Sequence, residues 1–335
     1  MKSVGAIIVL VFVFCSLHSC DKAGEGKPVL KDSSLQKKPV VPHGQTVSLD
    51  TAMYRRIWDD LVHGKPGNGW PVLEPYPLPR PVLPFRRVLA FYGNLYSAGM
   101  GVLGALPEEK MLAKLKQEVA AWQAADSSIP VQPALHYIAV TAQSRPGPDR
   151  KYRLRMPFGE IDKILALAKK SNALVFLDVQ VGHSTLRDEL PQLRDYLRLP
   201  HVHLGIDPEY SMKGGQVPAR AIGTFDAADI NYASEFLAKL VREHGIPPKM
   251  LIVHRFTQGM VTNYQKIQKT PEVQIVMHMD GFGSAAKKLN TYRQWIEKEP
   301  VQFTGFKLFY KQDGKLMKPD EVLKVHPKPV YIQYQ

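Results

Sequence analysis

The stretch from residue 173 to 207 reads ALVFLDVQV (173–181), GHSTLRDELPQLRDYLRLP (182–200) and HVHLGID (201–207). Its first and third segments are short, apolar and β-branched, as buried parallel strands are. The middle segment carries a helical pattern over Leu186–Leu197, so the whole reads as one strand–helix–strand unit. The same rhythm extends in both directions. Together with Ala173–Val181 and His201–Asp207, strands are expected at Val88–Gly93, Val131–Val140, Met250–Phe256, Val273–Asp280, Phe303–Phe309 and Val330–Tyr334. Further helical patterns lie at Glu108–Ala125, Phe158–Lys170, Ala227–His244, Thr257–Lys269 and Ser284–Glu297, with a weak one at Pro319–Val325. Eight strands in this rhythm within about 250 residues predict an α/β fold, a (β/α)8 TIM barrel over residues 88–335. An open doubly wound sheet fits less well, because Gly93-Asn94-Leu95-Tyr96 stands where a Gly-rich phosphate loop would follow the first strand.

The chain ends on its eighth strand, with no helix left to cover it. Thr51–His63 carries an amphipathic pattern, and this N-terminal helix is expected to pack under the barrel or to take the missing place. The Pro-rich segment Gly64–Arg86 reads as an extended strap, so residues 51–87 form a helix-and-strap unit ahead of the barrel.

In barrel enzymes the site is built at the C-terminal ends of the strands, which makes the strand ends informative. They offer Tyr92 and Asn94, His136, Asp178 and Gln180, Asp207 and Glu209, His254 and Arg255, His278 and Asp280, Lys307 and Tyr310, and Gln333. A barrel interior is otherwise filled by packed apolar side chains, so this many ionisable residues predict a polar pocket. The sharpest feature is Leu204-Gly205-Ile206-Asp207-Pro208-Glu209-Tyr210, a buried strand ending in two carboxylates at i and i+2. On extended chain these project to one face about 6.5–7 Å apart at their α-carbons. Crowded carboxylates push their pKa values apart and can hold one as an acid near neutral pH, which a glycosidase acid/base requires. Asp178 and Asp280 are the candidates for the opposing carboxylate. His278 and Asp280 share a face, where they suit a shared hydrogen bond, a metal or substrate hydroxyls. His201 and His203 begin a strand, away from the functional face. Tyr92, Tyr96, Tyr137, Tyr210, Phe256, Phe282, Phe309 and Tyr310 gather near the predicted mouth, where rings stack on sugars.

With 335 residues, 44% of them apolar and 22% charged, the chain is of the globular class. Its 44 Lys and Arg against 31 Asp and Glu give a net charge of +13, which favours anionic partners. Five of the lysines (Lys22, Lys27, Lys31, Lys37 and Lys38) fall between residues 20 and 50, a segment that reads as a flexible tether. No basic and aromatic binding motif accompanies the charge, so no nucleic-acid partner is expected.

Ahead of the tether, Lys2 precedes an apolar run from Val4 to Cys15, about 12 residues and too short to span a bilayer as a helix. Leu17-His18-Ser19-Cys20 follows it and resembles the lipobox of bacterial lipoproteins. The resemblance implies a signal peptide over residues 1–19, cleavage before Cys20, and lipidation of Cys20 that anchors the chain to a membrane of the bacterial cell envelope. Cys15, the other cysteine, would leave with the leader, so the mature chain would carry no disulfide and no Cys-based metal site or nucleophile.

Asp207-Pro208-Glu209 ending a strand resembles the catalytic segment of family 25 glycoside hydrolases, and Tyr331-Ile332-Gln333-Tyr334 is similar to their late aromatic-Gln-Tyr strand. Their first-strand Asp is replaced here by Phe91-Tyr92-Gly93-Asn94. The same segment is similar to the end of the chitinase-like Asp-x-Asp-x-Glu motif, with Gly205 in place of the first Asp. The whole chain resembles an uncharacterised group of secreted bacterial barrel proteins with sugar-hydrolase-like architecture.

These readings converge on an anchored glycoside hydrolase, or a protein derived from one, acting on a cell-envelope or environmental polysaccharide. Glu209 is the expected general acid/base, Asp207 its tuning neighbour, and Asp280 or Asp178 the nucleophile, base or stabiliser. Tyr92, Asn94, His136, Gln180, Tyr210, His254, His278, Lys307, Tyr310 and Gln333 are the expected substrate-binding residues, with no metal and no cofactor called for. Two alternatives stand beside this reading: a metal-dependent hydrolase using His254, His278 and carboxylates, and a non-catalytic lipoprotein that binds glycan or protein.

Overall fold

The computed structural model describes residues 48–335. The leader, Cys20 and the tether as far as residue 47 lie outside the described residues. Eight parallel strands close into a barrel: β1 (Arg87–Gly93), β2 (Val131–Ala142), β3 (Leu174–Val179), β4 (Val202–Ile206), β5 (Lys249–Arg255), β6 (Val273–Met279), β7 (Phe303–Leu308) and β8 (Tyr331–Tyr334). Each pairs with its neighbour in sequence, and β8 closes the ring on β1 through Val88 opposite Tyr331 and Ala90 opposite Gln333. The expected (β/α)8 architecture is the observed one.

The strands hold because both of their faces are buried. Outward-facing residues such as Leu89, Phe91, Leu135, Val175, Leu177 and Leu204 pack with the surrounding helices in one apolar cluster. The inward residues of the lower half, among them Val88, Ala90, Phe176, Ile252, Val276 and Phe303, form a second cluster. The N-terminal helix Thr51–Leu61 completes that second cluster from below. Tyr54, Ile57, Trp58 and Leu61 recur at the i, i+3, i+4, i+7 spacing of one helical face, and all four are buried. Asp50 caps the helix by accepting the Met53 N–H at 2.8 Å. Of the two places open to this helix, it takes the base of the barrel. On the outer side of β8, Trp122 of the helix Glu108–Ala125 donates to the Tyr334 hydroxyl at 3.0 Å.

The Pro-rich strap is laced to the base at defined points. Gln274 at the lower end of β6 donates to the Leu83 carbonyl and accepts from its N–H, and the Trp70 indole donates to the Glu297 carbonyl at 2.7 Å. Among the described residues no helix is long and apolar enough to cross a membrane.

Two expected helices are corrected. Thr257–Lys269 forms 3-10 turns at Gln258–Met260 and Tyr264–Lys266 flanking a short strand, Val261–Thr262, paired with Phe225–Asp226. The Arg255 guanidinium takes the carbonyls of Thr257, Gln258 and Val261 that a helix would use, and Asn263 lies in the left-handed region at φ 55°. The segment Leu186–Leu197 is interrupted by a 3-10 turn over Leu190–Leu193, where Pro191 lacks the N–H needed to continue an α-helix.

Candidate active site

Strand alternation sends every second residue into the barrel, and toward the C-terminal ends these residues become polar. Tyr92, His136, Asp178, His254, His278, Lys307 and Gln333 all point inward and are buried. Asp207 and Asp280 follow the ends of β4 and β6 and are also buried, while Glu209 and Tyr210 stand half-buried at the rim.

Most of these side chains form one continuous network; His278 meets it only through its ring, 5.2 Å from His254 and 5.0 Å from Tyr331 between centroids, and neither of its nitrogens makes the hydrogen bond expected with Asp280. Asp178 Oδ2 accepts the Tyr92 hydroxyl at 3.0 Å, and Gln180 donates to the same hydroxyl at 3.4 Å. Asp178 Oδ1 lies 3.2 Å from His136 Nε2 and 3.4 Å from His254 Nε2. On its other side His254 Nδ1 meets Asp280 Oδ2 at 2.7 Å, and Lys307 Nζ bridges both Asp280 oxygens at 2.9 and 3.1 Å. The ammonium of Lys307 also sits 4.0 Å above the Tyr92 ring. Deeper in the barrel, His136 Nδ1 lies 2.6 Å from the Tyr331 hydroxyl and 3.1 Å from Gln333 Nε2. At the rim, Asp207 Oδ1 accepts the Glu209 N–H at 3.0 Å and fixes the turn that presents Glu209.

Glycines make room for this crowd. A Cβ at Gly205 would stand 2.4 Å from both Asp178 Oδ1 and His136 Nε2, and one at Gly305 would stand 2.5 Å from His278 Nδ1. This explains why no Asp occupies position 205: the imidazole and carboxylate of neighbouring strands already fill that space. Gly205→Ala is expected to cost about 1–3 kcal/mol through overpacking, read as a lower urea midpoint at unchanged m-value. A midpoint equal to wild type would show that His136 and Asp178 move aside freely.

Charge is distributed unevenly through the network. Burial alone would keep Asp280 neutral, but Lys307 and then His254 outweigh it and hold this carboxyl well below the usual range. Burial likewise opposes ionisation of Asp178, and the His254 charge prevails and keeps it low. For His254, burial is outweighed by Asp178 and Asp280, which push the imidazole up to about 10. His136 is pushed down to about 4, mainly by burial. At the rim the balance reverses. Burial, reinforced by Asp178 and Asp280 against the pull of His254, pushes Asp207 up to about 7. Burial, then the charges of Asp207 and Asp280, push Glu209 up to about 8.

Most of the residues singled out from sequence meet in this network, but not all. Asn94 is spent on its own turn: its amide donates to the Ile138 carbonyl and its oxygen accepts the Tyr96 N–H. Tyr310 lies outside the barrel, stacked on Tyr334 and donating to Glu118 at 2.7 Å, and Tyr137 belongs to the same outer apolar cluster. His203 is a core residue whose Nδ1 accepts the Met250 N–H at 3.1 Å. The residue that sequence reading left out is Tyr331. It shares the inward parity of Gln333 two positions on, and that parity was the available signal.

No protein-family model and no curated protein matches the chain. Among solved structures, it is similar to ZgEngAGH5_4 in complex with a cellotriose, at 14% sequence identity and a TM-score of 0.35, over 66% of this chain and 78% of that one.

Proposed function

We propose that the chain is a glycoside hydrolase acting on a cell-envelope or environmental polysaccharide, held at the membrane by lipid on Cys20. The observation that carries the reading is the rim itself, where Asp207 and Glu209 share one turn beside an Asp280 carboxylate clamped by Lys307. Glu209, whose carboxyl retains its proton near neutral pH, donates it to the departing glycosidic oxygen. Asp280, kept ionised, faces the developing positive charge on the sugar ring, either directly or through a water that it deprotonates. Asp178 is enclosed beneath Tyr92 and serves to orient His254, so Asp280 is the better placed of the two opposing candidates. Half-buried Phe256 and exposed Phe282 offer rings at the mouth on which a sugar can stack.

The test is release of reducing ends by the purified chain from a panel of bacterial and plant polysaccharides. Product from one substrate class supports the reading, whereas saturable glycan binding without product would make this a binding protein built on the same barrel. Anchoring is tested separately. Cys20→Ser is expected to move the chain from the membrane fraction to the soluble fraction and to abolish incorporation of labelled fatty acid. A variant that stays on the membrane would remove the lipid from the proposal.

A further inference from the structure

The centre of the network contains three buried polar atoms, His136 Nε2, Asp178 Oδ1 and His254 Nε2, that face only one another and make no well-aligned hydrogen bond. All three residues are fully enclosed, and the three atoms lie within 4.8 Å of one another. A buried donor or acceptor without a well-made hydrogen bond is costly, and here three such atoms converge on one point. Both nitrogens address a single carboxylate oxygen, at 3.2 and 3.4 Å. In a tetrahedral site with metal–ligand bonds of about 2.0–2.1 Å, neighbouring ligand atoms stand about 3.3 Å apart.

The outward-facing atoms of the same side chains are all held. His254 Nδ1 meets the Asp280 carboxylate at 2.7 Å, His136 Nδ1 meets the Tyr331 hydroxyl at 2.6 Å, and Asp178 Oδ2 accepts from Tyr92 at 3.0 Å. A carboxylate or other oxygen on the far nitrogen is the support that fixes the ring and tautomer of a metal-ligating histidine. Gly205 leaves the space into which Asp178 Oδ1 and His136 Nε2 project.

We propose that His136, Asp178 and His254 bind one divalent transition-metal ion inside the barrel, through His136 Nε2, Asp178 Oδ1 and His254 Nε2. Two imidazoles and one carboxylate are a donor set suited to zinc or to ferrous iron, and too rich in nitrogen for magnesium or calcium. On binding, the ion takes the position of any proton on the two Nε2 atoms, so uptake releases protons to solvent. The inference adds a metal to the leading sequence reading, which called for none, and differs from the metal-dependent alternative in taking His136 and Asp178 beside His254, with no part for His278. It is independent of the glycosidase proposal, since an ion can be bound whether or not a polysaccharide is cleaved.

The test is elemental analysis of the full chain purified without a polyhistidine tag, followed by chelation and titration with Zn²⁺, with Co²⁺ and, without oxygen, with Fe²⁺. About one ion per chain is expected, together with a rise in the thermal midpoint on reloading and a cobalt visible spectrum that shows nitrogen ligation. The metal recovered from the untreated protein distinguishes zinc from iron. Asp178→Asn and His254→Gln should each weaken binding at least 100-fold, and Tyr331→Phe, which removes only the support behind His136, about tenfold. A chain that holds no metal, and shows neither midpoint shift nor cobalt spectrum with any of the three ions, would overturn the proposal. So would binding undiminished in both ligand variants. The wild-type measurement decides the matter even where a variant fails to fold.

Discussion

Glu209→Gln is expected to leave the barrel folded and to slow glycosidic cleavage by about 10²–10⁴-fold, the range for loss of a positioned general acid. Gln matches Glu in size but has no proton to transfer. The groups facing Glu209 are Asp207, Asp280, Lys307, His254 and Tyr210, and burial together with the first two holds its carboxyl up to about 8. Wild-type turnover should therefore fall as pH rises through about 8, as the acid loses its proton. The same shift makes a statement about stability. A carboxyl raised above its usual 4.5 binds its proton more tightly in the folded chain, so its contribution is complete below about 4.5 and is lost as pH rises toward 8. Asp207, raised to about 7, adds a slope of the same sign. Glu209→Gln removes one of these titrations, so at pH 8 the variant should melt above wild type while turning over far more slowly. A variant that is as active as wild type on the same polysaccharide would place the acid elsewhere.

That opposition between stability and activity follows from the placement of Glu209. The barrel interior gathers two carboxylates and two cations that balance, Asp178 and Asp280 against His254 and Lys307. Asp207 and Glu209 stand outside that balance, and burial raises both, Asp207 to about 7 and Glu209 to about 8. Two extra carboxyl groups with no cation of their own at a barrel mouth weaken the fold, and proton donation is a use that accounts for them.

All eight strands were legible in the sequence because parallel strands buried on both faces read as short apolar runs, and each expected strand lies within two residues of the observed one at either end. What sequence reading blurred was direction. Tyr310 reads as part of the mouth because it closely follows β7, yet Phe303, Gly305, Lys307 and Phe309 share one parity and Tyr310 has the other. Strand alternation alone would have sent it outward, where it stacks on Tyr334. Asn94 has the inward parity of Tyr92, but the chain turns at Gly93, at φ 152°, and its amide is used up on the Ile138 carbonyl. Depth was not legible at all. Asp178 and Asp280 look alike at their strand ends, and only the closed barrel shows one beneath Tyr92 and the other beside Lys307. The missed break at Thr257–Lys269 has a similar origin, because the Arg255 guanidinium that takes its carbonyls reaches them only in three dimensions.

Trp58→Ala is expected to destabilise the chain by about 3–5 kcal/mol, the cost of emptying a large aromatic site in a packed core. Trp58 is 1% exposed, and its ring lies against Phe303 at 5.2 Å between centroids and an interplanar angle of 16°. Phe303 is the lowest inward residue of β7, and Lys307 stands four positions along the same strand at the active end. The helix carrying Trp58 is thus a plug that finishes the apolar lower half, and the polar upper half rests on that floor. Since the base of such a barrel serves stability and the opposite end serves chemistry, the two effects should separate. The thermal midpoint should drop by roughly 5–8 °C. At a temperature where the variant is still folded, polysaccharide cleavage per molecule and metal content should match wild type. A loss of either with an unshifted midpoint would mean that the floor positions the network directly, through Phe303 and the inward residues stacked above it, and that the plug is part of the site rather than a support beneath it.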